Sequence, residues 1–163
     1  MTATFQLPEV ALRLYCIERM RMSPAVYAMV TSTSVIPWSL KPVWGFWIDN
    51  MKYRTFYIAL STTGFYFSWG LLSADYAMTP ASLSVLLTAS SFCLCVVDVM
   101  ADAQIVNFVR KESAGDAGRL QATVWTVRAA GALVAAIAGG ALARYVSLKT
   151  VFFITACTIV PGG

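Results

Sequence analysis

Asp98 and Asp102 stand four residues apart at the end of a stretch that carries no other charge back to Ala81. A helix places residues one turn apart on the same face, so both carboxylates point one way. Within a bilayer each costs roughly 2.5–3.5 kcal/mol on insertion scales unless it meets a partner or a watery cavity. Lys41 and Arg128 also lie deep in apolar segments, and two positive with two negative charges make a balanced set. Such a set supports two readings. One is a structural ion cluster. The other is a solute pathway, in which Lys41 and Arg128 attract an anionic solute and an aspartate exchanges protons or accepts hydrogen bonds from a ring amine.

The elements that must carry these groups follow from composition. The chain is 58% hydrophobic and 12% charged, with a mean hydropathy of +0.67. A soluble domain carries about 25% charged residues, so most of this surface is expected to face lipid. The net charge of +4 is scattered, with no run of adjacent basic residues longer than two, which argues against nucleic acid as a partner. There is no histidine, and no nucleophile elbow, metal-ligand spacing or phosphate-binding loop, so neither an enzyme, a metal site nor a cofactor is expected. Cys16, Cys93, Cys95 and Cys157 all lie in apolar segments and read as packing residues. The N-terminus has no positively charged region followed by an unbroken apolar run, so no signal peptide is expected.

Read in order, the chain predicts an all-α membrane protein forming a single transmembrane domain over residues 1–163. It has four complete spans, at about 25–48, 55–74, 81–109 and 120–143. Partial spans lie at about 4–17 and 151–163, the first interrupted by Pro8, Glu9 and Arg13. Ser23-Pro24 is a helix start, with serine as cap and proline in the first turn. Pro37 and Pro42 are expected to kink the first full span, whose Trp38, Trp44 and Trp47 run towards an interfacial aromatic belt. In the fourth span Gly131, Ala135, Gly139 and Ala143, with Ala132, Ala136 and Gly140 beside them, make stripes of small residues. These are expected to let a neighbouring helix approach closely.

Depth follows from the helical rise. Lys41, Asp102 and Arg128 each fall eight or nine residues from a polar loop on the same membrane face, hence roughly 12–13 Å deep, and Asp98 lies about 6 Å deeper. The four groups should therefore meet in one layer. Five Lys/Arg flank the 49–54 and 110–119 loops against four on the other side, a slight bias for the cytoplasm.

These residues resemble the folate–biopterin transporter family, a branch of the major facilitator superfamily. The resemblance is carried by Ser23-Pro24-Ala25, by Pro37-Trp38 with Lys41-Pro42 and Gly45, and by Asp49. It continues through Asp98-Val99-Met100-Ala101-Asp102-Ala103, then Gly118-Arg119-Leu120-Gln121 leading to Trp125, Arg128, Gly131 and Gly139-Gly140. It implies a proton-coupled or exchange carrier for folates, pterins or related solutes, built from two six-helix halves. The four full spans would be the second to fifth helices of the N-terminal half. Lys41, Asp98, Asp102 and Arg128 would lie in the substrate path, and Gly45, Asp49 and Arg54 at a cytoplasmic gate. The loop after Asp49 departs from the family pattern, which usually holds a proline, a glycine and an arginine cluster. The implied partners are the lipid bilayer, a small-molecule solute, and a second half of the transporter or another copy of the chain. The alternatives are a carrier of the same fold for another solute, or a non-transporting membrane remnant or interaction protein that would tolerate Asp98→Ala and Arg128→Ala.

Overall fold

The computed structural model describes residues 2–50, 52–74, 78–110 and 118–158. Every regular element among them is helical: α1 (Thr2–Leu14), α2 (Pro24–Thr33), α3 (Ile36–Ser39), α4 (Lys41–Asp49), α5 (Arg54–Ser73), α6 (Pro80–Val109), α7 (Arg119–Tyr145) and α8 (Leu148–Cys157). Most of the predicted 110–119 loop lies outside the described residues.

Local chemistry sets the helix starts. Ser23 accepts a hydrogen bond from the Val26 amide at 3.3 Å, with Pro24 in the first turn. Thr79 and Ser82 form a reciprocal capping box ahead of α6. Ser147 accepts from the Thr150 amide at the head of α8. The first partial span is more helical than its sequence suggests. α1 passes through Pro8 without a break and runs on into a π-helical turn, Tyr15–Arg19. Pro8 is buried, and neighbouring helices supply the packing that makes an internal proline tolerable.

The predicted 25–48 span is divided into α2, α3 and α4. Two prolines remove amide donors, and the hydroxyls of Thr31, Ser32, Thr33 and Ser34 all donate back to carbonyls of their own helix, a pattern that bends it. Helix α6 takes up the freed groups. The Ser91 hydroxyl donates to the Ser34 carbonyl at 2.5 Å, and the Cys95 thiol to the Pro37 carbonyl at 3.4 Å. The Trp44 indole donates to that same Pro37 carbonyl at 3.0 Å. The Trp38 indole donates to Ser91 at 2.9 Å, so Trp38 is an internal strut and not part of an interfacial belt. These bonds fix the second break at Leu40 and put Lys41 in the first turn of α4, against α6.

Helix α6 is the centre of the molecule, packing against α5 and all three pieces of the broken segment. Phe65, Trp69, Leu83, Leu87, Leu94 and Phe152 belong to the main apolar core. The most extensive helix pair is α1 with α7. Its closest point is Gly139, where a Cβ atom would sit 2.2 Å from the Leu7 carbonyl oxygen. Among the described residues two helices, α6 and α7, are each long and apolar enough to cross a bilayer. Half of the apolar stretch of α6 is buried within the chain but only 6% of that of α7, so α7 turns most of its surface outward.

Candidate functional site

The structure brings Lys41, Asp98, Asp102 and Arg128 into contact, from three separate helices. Lys41 Nζ lies 2.5 Å from Asp98 Oδ2 and 3.7 Å from Asp102 Oδ2. Arg128 Nη2 lies 2.9 Å from Asp102 Oδ1 and 3.5 Å from Asp98 Oδ1. Each cation thus bridges both carboxylates, and the four formal charges sum to zero. A neutral, mutually paired group is the arrangement that offsets the penalty for ionisable side chains in an apolar bundle. Aromatic faces back both cations: Lys41 Nζ is 4.8 Å from the Trp38 ring centre, and Arg128 Cζ 5.4 Å from that of Trp125.

The two aspartates are not equivalent. The Asp98 side chain is 7% exposed and holds the shorter contact to Lys41, whereas that of Asp102 is 42% exposed. Asp102 and Arg128 open onto a cavity of about 420 Å³ between α6 and α7, which Gln121 and Trp125 also line. A group entering from this cavity meets Asp102 and the guanidinium first, with Asp98 behind them. The arrangement offers a cation for an anionic group, a carboxylate as hydrogen-bond acceptor, an indole face for a planar ring and an amide for hydrogen bonding.

The residues assigned to a cytoplasmic gate fall at helix ends or faces. Gly45 is half-buried, and a Cβ there would make only an ordinary 4.0 Å contact with Val99. Asp49 closes α4, its side chain lying outside the described residues, and Arg54 opens α5. Of the small-residue stripes, Ala135 and Gly139 are buried, and Gly131 and Gly140 are half-buried. The two stripes differ in tightness: at Gly140 a Cβ would meet nothing within 4 Å. Among the described residues no group of three or more His, Cys, Asp or Glu side chains is placed to hold a metal.

Sequence reasoning left Gln121 and Trp125 out of the site. The signal was available, since residues 121, 125 and 128 follow a four-then-three spacing that puts them on one helix face. Trp38 and Ser91, which seat Lys41, carried no such signal, because their contact joins positions 53 residues apart.

Among the described residues, the two helices long and apolar enough to cross a bilayer, α6 and α7, carry three of the four charges of the cluster, Asp98, Asp102 and Arg128, as a membrane-embedded ion cluster requires. The chain belongs to the BT1 family, which it matches over residues 3–160. It is 31% identical over 89% of its length to the protein named "Probable folate-biopterin transporter 4" from Arabidopsis thaliana, covering 30% of that protein. It is 30% identical over 92% of its length to the "Folate-biopterin transporter" of Synechocystis, covering 31% of it. A third relative, "Probable folate-biopterin transporter 7" of Arabidopsis thaliana, is 23% identical over 90% of the chain and 35% of that protein. The chain therefore spans about a third of the length of the curated relatives it matches. No solved structure matches the chain.

Proposed function

We propose that the chain forms the N-terminal part of a multi-pass secondary carrier for folate- or pterin-type solutes, and that Lys41, Asp98, Asp102 and Arg128 line the solute path. The observation that carries this reading is the asymmetry of the charge cluster. Asp98 is sealed against Lys41, while Asp102 and Arg128 face a cavity large enough to admit a small solute. The names of the relatives supply the solute class.

In this reading an anionic group of the solute takes the Arg128 guanidinium and displaces Asp102. The freed carboxylate then takes a proton in place of its lost cation, which couples solute movement to proton movement. Trp125 stacks on the flat ring and Gln121 hydrogen-bonds its edge. Gly45, Asp49 and Arg54, at the cytoplasmic end of the same segment, act as the gate. A second half of the carrier, or another copy of the chain, closes the path opposite α7.

Uptake of labelled folate and biopterin by the full-length protein, in cells lacking their own uptake, tests this. Arg128→Gln removes a charge-assisted hydrogen bond worth about 1.5–3 kcal/mol, so uptake is expected to fall on the order of 10- to 100-fold at equal surface amount. A wild-type protein that moves neither solute, or an Arg128→Gln variant that moves them at the wild-type rate, contradicts the proposal.

A further inference from the structure

The backbone ladder of the broken segment has a joint. The Leu40 amide donates back to the Ile36 carbonyl at 3.3 Å, and the Val43 and Trp44 amides reach back no further than the Leu40 carbonyl, at 3.0 and 3.2 Å. Pro42 has no amide to give. Leu40 thus closes α3 and opens α4, and no backbone bond of this described segment steps over it. We propose that α4 is a hinged gate, which pivots at Leu40, is latched by the Trp44 indole on the Pro37 carbonyl, and is freed when the charge cluster releases Lys41. The inference rests on the carrier reading above and gives the gate residues Gly45 and Asp49 the element that moves them.

Packing divides at the same residue. Trp38 of α3 packs against the main core, whereas Trp44 and Ile48 of α4 belong to a smaller one built with Val96 and Met100 of α6. Ile48 is 1% exposed on that inner side, while Val43, Phe46 and Trp47 of α4 are exposed. The described residues therefore leave α4 room to swing outward. The small core holds it in from one side. The Trp44 N–H bond to the Pro37 carbonyl, 3.0 Å long, spans the joint and ties α4 to α3. The Lys41 ammonium, in the first turn of α4, holds Asp98 and Asp102 of α6.

The charge cluster and the gate therefore sit on one lever. Lys41 stands next to the pivot and Asp49 closes the helix eight residues on, roughly 12 Å along its axis. A small turn at Lys41 becomes a larger displacement at the Asp49 end. Hinges are commonly residues at the ends of elements, which absorb the backbone change while the helices on either side stay whole. A solute that draws the carboxylates away from Lys41 removes the ionic fastening. The neutral Trp44 bond that remains is worth only about 2- to 10-fold in the closed population, so the gate can then open.

The test is the rate at which a small polar maleimide labels single cysteines in the detergent-solubilised full-length protein. The other cysteines are replaced, with Cys95→Ser keeping a donor for the Pro37 carbonyl. Ile48→Cys reports on the inner side of α4, and Leu72→Cys, at a position 2% exposed in the main core, on the rest of the bundle. Trp44→Phe keeps a ring against Phe92 and loses the N–H. It is expected to raise labelling at position 48 by about 2- to 10-fold, and Lys41→Met by at least about 10-fold, with labelling at position 72 unchanged. The inference is overturned if either variant leaves position 48 as slow as before, or if both positions quicken together, as in general unfolding. A lock supplies a second readout. A Cβ at Gly45 would lie 4.0 Å from Val99 Cγ1, within reach of a disulfide between Gly45→Cys and Val99→Cys. Oxidation is expected to lower uptake at least about 10-fold and reduction to restore it. Full uptake by the cross-linked protein sinks this inference alone. Labelling does not require transport, so a protein that labels as expected and moves no solute sinks the carrier reading alone.

Discussion

Alanine at Asp98 is expected to abolish solute uptake and to lower the stability of the folded protein more than any other single change in the charge cluster. Asp98 is the buried member, in contact with Lys41 at 2.5 Å and Arg128 at 3.5 Å. Without it, two cations share one carboxylate, and a net positive charge is left inside the bundle. Breaking a buried pair by removing one partner costs about 3–5 kcal/mol. The Lys41 side chain is 32% exposed, which tempers the loss to about 3 kcal/mol. Heating the detergent-solubilised full-length protein and measuring the surviving monomer by gel filtration reads this directly. Asp98→Asn, which keeps the volume and one acceptor, should fall between wild type and Asp98→Ala. An Asp98→Ala protein as heat-resistant as wild type would show that the two cations find other partners.

The second large effect is expected at Gly139. A Cβ there would come 2.2 Å from the Leu7 carbonyl oxygen and 3.1 Å from the Leu7 Cα. Both are backbone atoms, so no rotamer change relieves the clash and α1 must move off α7. Overpacking costs about 1–3 kcal/mol where side chains can yield, and Gly139→Val should reach the upper end or beyond. Gly140 is the control. It is adjacent, equally part of a small-residue stripe, and open around its Cα. Gly140→Ala is therefore expected to be neutral or to stabilise by up to about 1 kcal/mol through helix propensity. Equal heat sensitivity of Gly139→Val and Gly140→Ala would remove the α1–α7 contact as its cause.

The contrast between these glycines marks where sequence reading stops. Both stripes have the same spacing, and only the position of Leu7 on another helix separates the tight one from the loose one. The charge cluster was far more legible. A bilayer leaves ionisable groups few places to go, so residue counts from the loops bring Lys41, Asp98, Asp102 and Arg128 to similar depth before any contact is known. The helix ends at Ser23 and Thr79 were equally local, since a capping side chain and a proline act within one turn.

The broken segment was half legible. Pro37 and Pro42 announce a distortion, but the breaks are settled by Ser91, Cys95 and Trp44, which take the freed carbonyls. Trp38 reads as interfacial by position and sits inside because Ser91 accepts its N–H.

The measurement that bears most directly on the charge cluster as a solute path is the pH dependence of pterin uptake by full-length protein carrying Asp102→Asn. Asp102 is the exposed carboxylate, so the substitution should leave folding largely intact while removing the group that would exchange a proton. The account predicts a normal surface amount, uptake reduced by at least about 10-fold, and a residual rate flat across the pH range where wild type varies. Uptake at the wild-type rate with the wild-type pH profile would contradict it and leave the four charges a structural cluster.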